Sequence, residues 1–259
     1  MDCQFSSLPY TIKTGNILDI IAQQGLASDS RWTEIMKPDD TSFIQEAKRL
    51  QEGQKSPPLP GTGLSKGSFL DLLEALGVSA SGLPKGDLNQ YQVENVLGFI
   101  GKYQFGESLL IDLGYYKATI YYGHGATKNY WQGIWTRKNG IDSKSKFLHS
   151  PDIQEEAIRE AFALNWKLID ETLNGQGTSI DNYLGQQKIF DDRGVSKTIT
   201  ITLSGILAGA HLRGPYGVAN LLLRNRGSHD EFSTSILRYI DEYGGYDTTL
   251  EDFIRYSGC

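Results

Sequence analysis

The sequence predicts an α+β fold in two unequal parts: a small βααβ unit over residues 8–60 and a mainly helical domain with a small β-hairpin over 68–259. Three observations carry this expectation. The first sixty residues run strand, helix, helix, strand; apolar residues then recur at helical spacing; and Thr198-Ile199-Thr200-Ile201-Thr202 alternates like a strand amid helical segments.

In the first part, Tyr10-Thr11-Ile12-Lys13 alternates, Gly15 turns the chain, and Ile17, Leu18, Ile20, Ile21 and Ala22 supply a helical apolar face. A second helical stretch surrounds Trp32, Ile35 and Met36, and the segment Glu52-Gly53-Gln54-Lys55-Ser56-Pro57-Pro58-Leu59-Pro60 offers a turn and then an extended edge that proline stops. Residues 61–67 form the linker, within a stretch rich in Pro, Gly and Ser.

In the second part, Ser68 caps a helix bearing Phe69, Leu72, Leu73 and Leu76 on one face, with Asp71 near its positive end and Gly77 available as its stop. Ser150-Pro151 opens a longer helix through Ile153, Ala157, Ile158, Ala161, Phe162, Leu168 and Ile169. Ile189-Phe190, Asp192-Arg193-Gly194 and the alternating run that follows read as a hairpin. Helices resume from Ser204 and again from Phe232 to Tyr243.

Composition narrows the function classes. At 259 residues, 39% hydrophobic and 22% charged, the chain can bury a core, and no apolar run approaches the ~20 residues that span a bilayer, so membrane insertion is not expected. A net charge of −6 argues against a general nucleic-acid binder. Cys3 and Cys259, at the two extremes, make a poor disulfide framework and read as free thiols. The start lacks the basic and apolar regions of a secretory signal, so synthesis in the cytoplasm is expected, with action at a cell wall or within a phage-like particle needing another exit route.

Two motif groups suggest chemistry. Tyr10-Thr11-Ile12-Lys13 with Gly15, and Gly53-Gln54-Lys55 before Leu59-Pro60, resemble a LysM module, which implies binding of N-acetylglucosamine-containing glycans. It departs from the common pattern at Gly15-Asn16-Ile17-Leu18. Tyr91, Asn95, Gly98, Phe99, Gly101, Tyr103 and Gln104, with Ser204 to Pro215 a hundred residues later, resemble the lysozyme-like lytic transglycosylases and phage cell-wall hydrolases. That resemblance implies a peptidoglycan-directed protein cleaving MurNAc–GlcNAc bonds through a glutamate general acid, with peptidoglycan as partner and no cofactor.

Ser79 stands where such relatives carry the acid, in Val78-Ser79-Ala80-Ser81-Gly82. Two readings follow. Either Glu94 replaces the acid, its pKa raised by apolar walls, with Gln104, Tyr103, Asn95, Tyr116 and Trp131 holding the glycan and Glu107 as a supporting acid. Or catalysis is lost and the groove serves binding or assembly in a phage tail or contractile injection machine. Gln104 can donate to and accept from an acetamido group, and aromatic residues between Tyr115 and Trp135 suit pyranose faces. Glu74 reads as a solvated side chain, His211 as a packing residue, and Gly98, Gly101 and Gly106 as turn and close-approach positions. His124, His149 and His229 lack metal-ligand spacing, so no metal is expected.

Overall fold

The computed structural model describes residues 65–118, 128–230 and 232–254. The βααβ unit, both cysteines and Tyr121-Tyr122 lie outside these residues. What is described mixes helices with two two-stranded antiparallel sheets, an α+β arrangement at the coarse level.

Helix α1 (Phe69–Ser81) starts where Ser68 and Asp71 cap each other: the Ser68 Oγ accepts the Asp71 N–H at 3.3 Å and the Asp71 carboxylate accepts the Ser68 N–H at 3.0 Å. Gly77 does not stop it. The helix continues to Ser81, and Gly82, at φ 71°, ends it by donating its N–H to the Val78 carbonyl at 3.0 Å. Gly77 instead makes room, since a Cβ there would collide with the Lys102 stem.

A turn-rich segment leads to α2 (Glu107–Asp112), then to β1 (Tyr116–Lys117) and β2 (Ile134–Trp135), paired antiparallel with Tyr116 opposite Trp135. This second small sheet was not legible in the aromatic-rich sequence there. Helices α3 (Lys144–Leu148) and α4 (Pro151–Asn174) follow, the latter with Pro151 in its first turn, where a missing N–H costs nothing. The hairpin of β3 (Gln187–Asp192) and β4 (Val195–Thr200) closes through Arg193-Gly194, both at positive φ as a tight two-residue loop requires.

Helix α5 (Leu203–Arg224) packs along α4 and breaks at Gly214 (φ 71°, ψ 167°), just before Pro215, whose ring cannot continue the hydrogen-bond ladder. The last helix, α6 (Ile236–Glu242), begins four residues later than expected: Asp230 accepts the N–H groups of Phe232 and Thr234 in a tight turn, and Ser235 caps the helix. The core forms two adjoining clusters. One joins α1, α2, β1 and α4 to the start of α5; the other joins the hairpin, α5 and α6 to the end of α4; Trp166 and Leu184 pack against both.

Candidate functional site

Over residues 93–105 the backbone folds on itself through bridges of Ile100 with Glu94 and with Phe105. The Asn95 side chain accepts the Leu97 and Phe99 N–H groups at 2.9 and 3.1 Å, so its amide oxygen shapes this turn. Gln104, at φ 52°, donates to the Gly101 carbonyl at 2.9 Å, and its Oε1 is enclosed with no hydrogen-bond donor among the described residues. The Glu94 side chain is 39% exposed and both its oxygens meet the Lys144 ammonium, at 3.0 and 2.9 Å. The Glu94 carboxylate is thus an ion-paired, part-exposed group and not one enclosed by the apolar walls the sequence reading expects.

Tyr103 lies inside the core at 0% exposure, its hydroxyl donating to Glu155 at 2.7 Å. It belongs to a network the sequence did not reveal. The Lys102 ammonium, on a side chain only 6% exposed, reaches Glu74 at 2.8 Å and Glu155 at 3.0 Å, while Tyr91 also donates to Glu155 at 2.9 Å. Burial would lower the Lys102 pKa, but hydrogen bonding to Glu74 and the charge of Glu155 outweigh it and raise it. Burial would raise Glu74, but Lys102, the Gly86 N–H and Lys85 together lower it. Glu74 is therefore an ion-paired side chain and not a solvated one. On the far side, His211 Nε2 donates to the Tyr103 carbonyl at 2.8 Å, Nδ1 is enclosed with no donor among the described residues, and burial lowers the imidazole pKa.

Glu107, Trp131 and Tyr116 are brought together. Glu107 is buried at 5% exposure and its two oxygens accept the N–H groups of Tyr130 and Trp131 at 2.8 and 2.9 Å. Its own N–H donates to Asn129 Oδ1 at 2.7 Å. Trp131 sits at φ 53°, an unfavourable conformation for a bulky residue that costs about 1–3 kcal/mol. Two hydrogen bonds to a charged acceptor, each worth about 1.5–3 kcal/mol, are enough to hold it there. The indole donates to the Gly98 carbonyl at 2.7 Å, stacks on Trp135 with centroids 5.8 Å apart, and meets the edge of buried Tyr116 at 5.3 Å. The Gly133 N–H donates to the Tyr116 hydroxyl, whose pKa burial pushes up to about 12.

An open cleft of about 670 Å³ lies elsewhere, along the outer side of α1 and the C-terminal end of α6. Ala75, Val78 and Ser79 line one side, Tyr243 and Tyr246 another, and Lys66, Asp71, Glu74, Lys85 and Glu242 the rest. Its location follows from local geometry. Lys66 donates to the Asp241 and Glu242 carbonyls at 3.1 and 3.0 Å, tying the chain before α1 to the negative end of α6. Ser79 lies beside the phenols of Tyr239 and Tyr243, and burial raises both, Tyr243 to about 12. Those phenols stay protonated at neutral pH and cannot serve as bases.

Every carboxylate in the cleft is engaged. Asp71 is lowered first by its hydrogen bonds from Ser68, with Lys85 at 3.6 Å; Glu74 is held by Lys102; Glu242 meets Arg238 at 3.0 Å. Glu160 is the reverse case: burial raises its carboxyl despite Lys138 at 2.8 Å, but it sits on α4 beneath Tyr115 and does not line the cleft. Of the residues expected to form a site, Glu94, Asn95, Tyr103, Gln104, Glu107, Tyr116 and Trp131 all lie outside the cleft lining. The one sequence signal that pointed to it was Ser79, at the position where the resemblance expects an acid.

Comparison with protein-family models, curated proteins and solved structures finds no significant match to this chain. Among the described residues no helix is long and apolar enough to cross a membrane.

Proposed function

We propose that this protein binds cell-wall glycan without cleaving it, a segment of N-acetylglucosamine-containing strand lying in the cleft beside α1. The observation that carries the reading is Ser79: at the place expected for a general acid, the cleft presents a serine hydroxyl beside two buried phenols. Glycosidic cleavage needs a carboxylic acid that is protonated near neutral pH and adjacent to the leaving oxygen. The cleft carboxylates Asp71 and Glu74 are lowered, and Glu94 is salt-bridged at a different surface. The apolar Ala75 and Val78, beside phenol and hydroxyl groups, supply the mixed surface that sugars use. A binding or structural part of a phage tail or contractile injection machine is the setting that fits such a role.

The test is retention on insoluble peptidoglycan combined with assay of the supernatant for released muropeptides. Wild type is expected to be retained and to release none, and Ser79→Trp, which fills the cleft, to lose retention at least tenfold. Muropeptide release by wild type that disappears in Glu94→Gln would replace this reading with the glycosidase one.

A further inference from the structure

We propose that the cleft beside α1 holds its glycan by a carboxylate, with Lys66 and Lys85 selecting an acidic strand over a neutral N-acetylglucosamine polymer; this rests on the glycan-binding reading above. Lys66 is fixed from its backbone outwards. Its N–H donates to the Gly245 carbonyl at 2.9 Å, the next residue, Gly67, accepts the Asp247 N–H at 2.8 Å, and the Lys66 stem lies over Gly245. The ammonium then donates to the Asp241 and Glu242 carbonyls at 3.1 and 3.0 Å. These acceptors are neutral, so they hold the ammonium without cancelling its charge, and they take two of its three donors. The third has no acceptor among the described residues.

The carboxylates of the lining are answered from elsewhere. Glu74 is met by Lys102 at 2.8 Å and Glu242 by Arg238 at 3.0 Å, and neither of those cations lines the cleft. Lys102 also serves Glu155, which Arg159 meets in turn at 3.8 Å. Asp71 accepts both the N–H and the hydroxyl of Ser68 and has the exposed Lys85 at 3.6 Å. Within the lining, Asp71 is therefore left alone against two lysines, a local positive surplus in a chain of net charge −6. A neutral sugar polymer does not use that surplus. The carboxylates of a peptide-bearing wall glycan do: one accepts the remaining Lys66 donor in a charge-assisted hydrogen bond, and Lys85, exposed and less restrained, adds a weaker pairing.

The experiment compares affinity of the full chain for insoluble peptidoglycan with its affinity for the same material after carbodiimide and methylamine have converted the carboxylates to amides. Wild type is expected to bind the native material about tenfold more tightly. Lys85→Met should lose about threefold on native peptidoglycan at unchanged Tm, and Lys66→Met about fivefold to tenfold. Both should bind the amidated material as wild type does, which checks that they fold, and Lys66→Arg, which keeps the charge, should retain the preference. Wild-type affinities for the two materials within twofold of each other, with retention still lost in Ser79→Trp, would overturn carboxylate selection and leave the glycan reading standing. Lysine-to-methionine variants that keep the tenfold preference would overturn the assignment to Lys66 and Lys85. Wild type retained on neither material would overturn the glycan reading and this inference together.

Discussion

In the turn over residues 93–107, the Asn95 and Gln104 amides and the Glu107 carboxylate are bonded to the chain's own backbone and the Tyr103 phenol to Glu155; along α1, serine, tyrosine and valine side chains face an open volume of about 670 Å³. Both regions hold residue types that could recognise a sugar. They differ in what the groups are already bonded to. A polar group that satisfies the fold cannot also satisfy a ligand without leaving a buried partner unpaired, at about 1–3 kcal/mol. The turn is therefore a structural joint, and the comparison is broken by any variant whose effect falls on binding in the first region or on stability in the second.

The largest effect is expected at Gly101. It sits at φ 77° with Gln154 Oε1 where a Cβ would go, and that oxygen accepts the Lys102 N–H at 2.9 Å while the same amide donates to the Tyr91 and Phe147 carbonyls at 2.9 Å each. Gly101→Ala combines backbone strain with displacement of a buried amide and should cost about 3 kcal/mol or more, read as a lower midpoint in denaturant. A loss below about 1 kcal/mol would mean the turn is not the joint described.

Next comes Glu155→Gln, which removes the charge shared by Lys102, Tyr91 and Tyr103. Lys102 keeps Glu74, and the Glu155 side chain is 27% exposed, so the cost is discounted from the range for a fully buried pair to about 2 kcal/mol. If Glu74 then shifts towards Lys102, retention on peptidoglycan changes as well, because Glu74 lines the cleft.

These two residues also mark the limits of sequence reading. Helical periodicity revealed α1, α4 and α5, and the Asp192-Arg193-Gly194 signal revealed the hairpin, because those patterns are local. The caps at Ser68 and Ser150-Pro151 were legible for the same reason. The Lys102–Glu155 network joins residues 53 apart in the chain, and no local pattern announces such a pairing. Gly77 looked like a helix stop because glycine serves that purpose often; its actual task, admitting the Lys102 stem, depends on a tertiary contact. Likewise the cleft is a volume between α1 and the end of α6, and volume has no sequence signature beyond the unexplained serine.

A pH titration sharpens the comparison further. His211 has a pKa lowered by burial, so its neutral form contributes stability that is present above the unfolded value near 6.5 and lost as pH falls through the folded value. Glu74 is lowered too, so its contribution is present above about 4.5 and lost on further acidification. Stability should thus decline in two stages below pH 6.5, and His211→Gln should flatten the first. Lys102, raised in the fold, acts at the other end: its contribution is full below about 10.5 and lost as pH rises through the folded value.

The smallest effect is expected at Glu94. An exposed ion pair contributes about 0–1 kcal/mol, because water screens the charges and both long side chains lose freedom in pairing. Glu94→Gln should therefore shift the midpoint in denaturant by less than about 1 kcal/mol and leave peptidoglycan retention unchanged. Lys144→Met, which strips the partner and leaves the carboxylate in place, isolates the pair from the loss of charge. Should Lys144→Met gain muropeptide release while Glu94→Gln does not, the lysine would be restraining a competent acid, and the turn would have to be counted as a site held shut by one salt bridge.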